Sequence, residues 1–586
     1  MRKIFCILFI AFQFFLNFCK AQTLFLDDWA KSGLISDHFV EDTIVNIMDF
    51  GADSTGKFSN DSAVIKALSA VEKYKSVLYF PEGKYLFNKT ISINRNFIVL
   101  RGKSYNTTRF IFDLKGRSED CINISGKNLT DSSSIISDAS RGINHVRLYN
   151  SDLFKTGDFV QLICSDSSLL FSSWAYGSVG QVMRIESVSN NIVYFNSSLR
   201  YNYVQKLNPY LRKIQAHSQV GLECFSMIRL DLTSTQTSNI SMDYVVDSWI
   251  TGISSDSCNF AHVSLSHCAH VEIKNSYFQQ AFSYGGGGQG YGIALQFATS
   301  ECKIENNIFN HLRHSILFQA GANGNVVSYN YMTDPYWTEG IYPTNSSGDI
   351  VLHGNFPFAN LIEGNINQNS IIDNSHGLNG PYNTFFRNRI ELYGLIFSTN
   401  NSGDSLQFIQ NEITNSSLGY YLIQGNGHLQ LANNIKGQII PQGSIGLSDN
   451  SFYLSSLNFP FCYDALNFRW PYIEEPYNTG SIPAKVRFQQ NKLALCECEI
   501  ITEEKDLIKT SLNAIQIYPN PGHNFIHYAD NPDIIQLKVY TLEGKLVYQT
   551  KQSFCNQLDL SELNSGSYFI HFKTKENTYF AKWIKN

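Results

Sequence analysis

Charge is what this 586-residue chain has least of: Asp, Glu, Lys and Arg together make up 16% of it. Long surface helices need a charged face, and no periodic apolar stretch reads as one, so a helical bundle is excluded. Proline is scarce as well, at 14 residues, whereas Asn, Ser, Tyr and Phe are abundant. That mix suits strands and polar turns. There is no basic excess: 45 Lys and Arg face 50 Asp and Glu, a formal charge of −5. A chain without a basic stripe is a poor partner for phosphate backbones, so nucleic acid is not expected as a partner. No cysteine pair has zinc spacing. Beyond Gln22, no segment is apolar enough to span a bilayer. The length exceeds one ordinary core, so a repeated all-β architecture is expected.

At the N-terminus, Arg2 and Lys3 precede an apolar run from Ile4 to Phe18, followed by Cys19-Lys20-Ala21 before Gln22. This reads as a Sec-type signal peptide over residues 1–21 and predicts an exported protein. Its removal takes away Arg2, Lys3 and Lys20, and so leaves a charge of −8. Of the 12 cysteines, Cys6 and Cys19 lie in that leader and ten remain. Export permits disulfides. Cys258 with Cys268, or Cys496 with Cys498, are the candidate pairs, with buried free thiols the equal alternative.

From about residue 240 to 495 the chain repeats. Aligning "VEIKNSY", "CKIENNI", "NVVSYNY", "NLIEGNI", "NTFFRNR", "LQFIQNE" and "LQLANNI" stacks Ile273, Ile304, Val327, Ile362, Phe385, Phe408 and Leu431 in an apolar column. Three places on, Ser276, Asn307, Asn330, Asn365, Asn388, Asn411 and Asn434 form a polar one. Its last three steps, from Asn365 to Asn388, Asn411 and Asn434, are equal. A sustained period of this length means one solenoid coil per repeat. Each coil's strands then lie about 4.8 Å above those below. Apolar residues should stack inside, and asparagines should stack at the bends, tolerating left-handed backbone. Parallel strands connected this way wind right-handed. The predicted fold is a right-handed parallel β-helix over residues 41–500.

The step from Asn330 to Asn365 is longer, and its 12 extra residues fall within 333–348. A solenoid can expel an insertion only as a loop on one face, often the binding face. Tyr336, Trp337 and Tyr342 lie in it, and their rings suit stacking on sugars. Residues 145–215 break the period and read as an inserted antiparallel β unit. The run "YGGGGQGYG", residues 284–292, lacks the strand-then-helix context of a phosphate loop and reads as a flexible loop. After a linker at 501–512, residues 513–586 alternate in short runs punctuated by Pro-Asn-Pro, Glu-Gly and Ser-Gly, the pattern of a small β-sandwich.

Two segments resemble known families. Asp49-Phe50-Gly51-Ala52-Asp53, the helix start Asn60-Asp61-Ser62, and Phe80-Pro81-Glu82-Gly83-Lys84-Tyr85 resemble the N-terminal signature of the pectate-lyase-like parallel β-helix superfamily. Asn60 or Asp61 can cap a helix from Ala63 to Val71 that closes the open end of the stack. Asp53 and Asp61 are read as turn and cap residues rather than catalytic ones. At the other end, Tyr518-Pro519-Asn520-Pro521, Leu542-Glu543-Gly544-Lys545, Leu563 to Tyr568 and Lys582-Trp583-Ile584-Lys585 resemble the type A sorting domain of the type IX secretion system of Bacteroidetes. That resemblance implies passage across the outer membrane, with the type IX machinery as a partner and the cell surface or medium as destination.

Chemistry points to the histidines. His353 precedes Asn365 by 12 residues and His376 precedes Asn388 by 12, so the period places them on successive coils. One coil back, His314 should match Asp349, and the four should share a patch. Arg313 and Asp373 fall nearby, although strand alternation aims them the other way. Crowded imidazoles cannot all be charged cheaply, so one should stay neutral and act as a base. Asp349 could orient His314 or hold it protonated. A neutral base beside a cation suits β-elimination or C5 epimerisation of a uronic acid, because charge builds on the substrate carboxylate. Arg313 and Arg387 are candidate cations, Arg387 about half a coil away.

The reading is therefore a secreted, expectedly monomeric protein, leaning to a polysaccharide lyase or epimerase on an acidic polysaccharide. A glycoside hydrolase and a non-catalytic glycan-binding adhesin are the alternatives. Of the polygalacturonase motifs only fragments are present, Ser375-His376-Gly377 and Arg387-Asn388-Arg389, with no Asp-Asp pair. No cofactor is predicted. Calcium is left open, without a motif to support it.

Overall fold

Stacked asparagines mark the coils. Asn330 N donates to Asn365 Oδ1 at 2.9 Å, Asn365 N to Asn388 Oδ1 at 3.0 Å and Asn388 N to Asn411 Oδ1 at 3.1 Å. Each amide nitrogen turns to a neighbouring carbonyl, as Asn365 Nδ2 does to Val327 O at 2.8 Å. These buried groups are satisfied along the axis, which is why a polar residue can be repeated inside a core. The left-handed residue at this corner is the one before each asparagine: Tyr329, Gly364, Arg387 and Gln410 have φ of 53°, 66°, 55° and 53°. A second ladder of Asn325, Asn360 and Asn383, not anticipated above, runs along another corner.

In the computed structural model, residues 24–339, 348–400, 402–454, 481–496, 517–528, 534–541, 545–550, 557–574 and 578–586 are described. The expected signal peptide, the linker 501–512, Tyr342, Cys498 and the Leu542-Glu543-Gly544 turn lie outside them. The chain divides into two compact units, Met1–Ile500 and Ile501–Asn586.

The first unit is a right-handed parallel β-helix with three walls. One wall stacks Ala269–Lys274, Lys303–Glu305, Val326–Ser328, Leu361–Glu363, Thr384–Phe386 and Gln407–Ile409 in parallel register. Ile273, Ile304, Val327, Ile362, Phe385 and Phe408 pair in sequence along it, as the period requires. The column slips at its end. Phe408 pairs with Gln430 rather than Leu431, and Asn411 N donates to the side-chain oxygen of Asn433 rather than that of Asn434, because that coil is one residue shorter. On the third wall stand Ala261–Ser266, Tyr291–Gln296, His314–Phe318 and Ile350–Leu352. A single apolar interior runs from Ile47 to Ile413, as stacked coils demand.

The predicted capping helix runs over Asp61–Ala70 and buries Ala63, Val64 and Ala67 against the end of that interior. Asn60 occupies the cap position without capping. Its side chain instead accepts from Asp53 N at 2.7 Å and donates to Asp53 O at 3.0 Å, tying the turn. Asp53 accepts from the backbone of Thr55, Lys57 and Phe58.

The inserted unit is a six-stranded antiparallel sheet, and it begins earlier than the expected residue 145. Lys127–Ser134 pairs with Tyr210–Gln215 and so belongs to it. Residues 25–39, which the period said nothing about, run along the β-helix. Phe25 and Gln407 exchange two hydrogen bonds, Trp29 Nε1 donates to Ala359 O, and Ile35 N donates to Asp247. Asp27 and Glu301 flank the fully buried Arg200 of the inserted unit, an ion cluster that locks strap, insert and helix together. Cys258 and Cys268 are unpaired buried thiols, donating to carbonyls of Tyr291 and Met242.

The second unit contains two antiparallel sheets. One orders Ile517–Tyr518, Phe525–Tyr528 and Gln557–Asp559, and the other Leu546–Thr550, Ile534–Thr541, Gly566–Thr574 and Thr578–Lys585. Leu537, Val539, Ile570, Phe572 and Trp583 form its core. Trp583 Nε1 donates to Pro519 O, and Lys585 Nζ to Leu560 O, so two of the quoted motifs serve the packing of this unit.

Candidate active site

Three imidazoles meet where the third wall gives way to loops. His314 opens strand His314–Phe318, His353 follows strand Ile350–Leu352, and His376 lies in the bend after Ile366–Ile372. Ring centroids are 5.9 Å apart for His314 and His353, and 5.0 Å for His353 and His376. The two His-Gly dipeptides owe their glycines to this crowding. Gly354 and Gly377 have φ of +74° and +78°. A Cβ on Gly354 would sit 2.6 Å from the His376 carbonyl carbon, and one on Gly377 would sit 2.6 Å from Phe171 Cβ.

His353 Nδ1 contacts Asp373 Oδ2 at 2.6 Å. His376 Nδ1 lies 3.2 Å from Ser172 Oγ of the inserted unit. His314 Nδ1 donates to Gly348 O at 2.9 Å, and its buried Nε2 has no partner among the described residues. Burial, with Arg313 and His353 alongside, holds His314 far below the usual imidazole range, so it is neutral. His376 is also lowered, first by burial and then by charge on His353. Burial works to raise Asp373, but the charge and hydrogen bond of His353 prevail and keep it ionised.

Asp349 does not join this group. The insertion shifts the register on this wall: Ile316 pairs Ile350, so Asp349 stands opposite Ser315 and Gly348 stands opposite His314. Its carboxylate takes hydrogen bonds from Ser315 Oγ at 3.2 Å and Gln368 N at 2.6 Å. Burial pushes its carboxyl up to about 7. The orienting role expected of Asp349 at His314 falls instead to Asp373 at His353. Asp373 was placed nearby by the period but aimed away by alternation; on this wall Leu352 pairs with Ile372, so the register sets Asp373 beside His353.

Arg313 donates to Gly285 O at 2.8 Å, and Gly290 O accepts from Arg313 N at 2.9 Å, so the glycine run serves this corner. The guanidinium lies between Trp337 and Tyr291, 4.8 and 5.8 Å from their ring centroids, and Tyr291 is 5.0 Å from His314. Trp337 thus borders the cluster. Tyr336 packs elsewhere, stacked on His311 at 4.5 Å and edge-on to Tyr284 at 4.9 Å. Arg387 also stands apart. It is the left-handed corner residue before Asn388, over the Phe386 ring at 5.0 Å and bonded to Leu447 O. Ser172 and Tyr291 carry no sequence signal that links them to the histidines. Among the described residues, no group of three or more His, Cys, Asp or Glu side chains is arranged to hold a metal ion.

Comparison with known proteins bears on the class. Residues 44–156 match the family model for "Rhamnogalacturonase A/epimerase, pectate lyase-like", and residues 516–586 match that for "Secretion system C-terminal sorting domain". No curated protein sequence matches the chain. Among solved structures, the tailspike protein gp49 of Pseudomonas phage LKA1 superposes with a TM-score of 0.51 at 16% identity, over 63% of this chain and 64% of that one. The chain therefore spans under two thirds of that tailspike. The tailspike gp61 of Pseudomonas phage phi297 gives a TM-score of 0.46 at 13% identity, over 67% and 74% of the two chains. Coils and capping helix define a right-handed parallel β-helix, and its residues 44–156 are similar to the pectate-lyase-like family model. This one carries a C-terminal type IX sorting domain, and so is destined for the cell surface or beyond.

Proposed function

We propose that the protein is a carbohydrate-active enzyme that abstracts the C5 proton of a uronic acid residue in an acidic polysaccharide, as a lyase or a C5 epimerase. The observation that carries this reading is the Asp373–His353–His376 arrangement, a neutral imidazole 5.0 Å from one paired with a carboxylate. His376 is the most accessible of the three histidines and takes the proton at C5. The electron pair moves onto the substrate carboxylate, where His353, held by Asp373, and Arg313 supply positive charge. In a lyase that pair returns to form the 4,5 double bond as the C4–O bond breaks, and the departing oxygen takes up a proton from water or from the protonated His376. In an epimerase C5 is reprotonated from its other face.

Hydrolysis would need two carboxylates about 5–5.5 or 6.5–9.5 Å apart across the sugar. The cluster offers Asp373, already engaged by His353, while Asp349 is bonded to Ser315 and Gln368. The test incubates purified protein with polygalacturonate, alginate, ulvan and glycosaminoglycans, following ultraviolet absorbance of unsaturated ends, reducing ends, and NMR of the polymer. New unsaturation or inverted C5 supports the reading. Reducing ends without unsaturation make it a hydrolase, and binding with no chemical change makes it an adhesin.

A further inference from the structure

The inserted unit reaches the histidines through a single turn, residues 171–176. Two backbone donors, Phe171 N and Ser172 N, bond Asn355 Oδ1, both at 3.0 Å, between His353 and His376 in sequence. Behind the turn, Asp166 accepts from Gly177 N and Val179 N at 2.8 Å each. At Gly321 the coil approaches so closely that a Cβ would lie 1.9 Å from Ser178 O. The turn is thus braced from both sides. Yet it leaves three large rings in the open: Phe171 is 70% exposed, Trp174 48% and Tyr176 53%.

Trp174 stands edge-on to His376 at 5.6 Å and to Phe297 at 5.8 Å. From Phe297 the row continues to His267 at 5.6 Å and Tyr244 at 4.4 Å. In the other direction ring contacts run from His376 down through the buried His353, His314 and Tyr291 to Arg313 and Trp337, so the accessible part of the row is Trp174, Phe297, His267 and His376. Polar groups rim the row, with His267 bonded to Asp243 and Gln296 bonded to Gln319. An occupant of such a strip must be extended, apolar on its faces and polar at its edges. A glycan chain has that character, because each pyranose presents C–H faces and a hydroxyl rim.

We infer that the 171–176 turn is a sugar-binding platform in which Trp174 stacks on a pyranose ring next to the one held at the histidines. This rests on the reading that the cluster acts on a glycan, and it gives the inserted unit its role. Continuity with the cluster is what favours a glycan over a protein partner.

Affinity gel electrophoresis tests it, with polygalacturonate, alginate, ulvan or chondroitin sulfate cast into separate gels. The proteins compared are the full chain, Trp174→Ala, Trp174→Phe, and Phe58→Ala as an exposed ring on the first coil. Circular dichroism verifies that each folds. Wild type should be retarded by at least one polymer, Trp174→Ala should lose at least tenfold in apparent affinity, Trp174→Phe should regain most of it, and Phe58→Ala should match wild type. With a turned-over polymer, Trp174→Ala should raise KM while changing kcat little. Equal retardation of wild type and Trp174→Ala, or retardation by none of the polymers, overturns the platform. Retardation that depends on Trp174 without any turnover leaves the platform standing and removes the proposed chemistry instead.

Discussion

His353 and Asp373 are vertical neighbours in the coil stack. The ladder pairs Leu352 with Ile372, so the next residue of each strand continues the register, and the imidazole and carboxylate meet at 2.6 Å. This step is shorter than the one between successive ladder asparagines, because the chain bends out only after Ile372 and returns through His376. That short step brings a carboxylate under one histidine and leaves the next beside it with the Ser172 hydroxyl for company.

Replacing His376 with Ala should lower turnover about 10³-fold, the range for loss of a general base. The side chain is half-buried, so the thermal transition should move by no more than about 1 kcal/mol in equivalent stability. Activity assays beside thermal melts check both. Full activity in a folded variant would remove His376 from the mechanism.

The pH profile should carry the mark of crowding. His376 titrates below the ordinary imidazole value of about 6.5, so its neutral, basic form persists as pH falls past that point. The acid limb of kcat/KM should therefore lie below about pH 6.5. Burial lowers His376 first and charge on His353 second, so His353→Asn should raise the titration of His376 part of the way back, as read by NMR of the imidazole.

Asp349 predicts a stability trend. Its folded value, about 7, lies above the unfolded value of about 3.8–3.9, so the folded state holds a proton that the unfolded state has lost. Stability from this group is present below about pH 4 and declines as pH rises towards 7, by at most about 1.4 kcal/mol per pH unit. Asp349→Asn should flatten that part of the curve in melts from pH 4 to 8. An unchanged slope would mean that the carboxyl is ionised in the fold.

The asparagine ladder predicts a structural cost. Asn365 accepts from Asn330 N and donates to Val327 O and Asn388 Oδ1. Asn365→Ala leaves these buried groups without partners, each worth about 1–3 kcal/mol. The loss should be about 3 kcal/mol in urea denaturation, with the histidine cluster untouched. A loss below about 1 kcal/mol would show that the ladder is incidental.

Several elements were legible in the residues themselves. Ile304, Val327, Ile362, Phe385 and Phe408 repeat because each faces the same interior, and that interior must be filled the same way in every coil. The asparagines repeat because each satisfies the next. Those constraints are local to the coil, so period alone located them. Asp349 was misplaced by one position for the opposite reason. On the third wall Ile316, Ile350, Ser370 and Leu395 stack at unequal steps, since the bends leading to it lie outside the core and vary in length. Counting a fixed period across such bends cannot give register.

Period and polarity by themselves determined the solenoid and the meeting of three histidines, while resemblance to known signatures marked the capping helix and the sorting unit. Only the tertiary structure decided that Asp373 partners His353, that Arg387 turns away at its corner, and that Ser172 and Trp174 arrive from a separate sheet. The difference is physical. A repeat records what the shared interior demands of every coil, while an active cluster on the outside is assembled by loops whose lengths and partners the interior does not constrain.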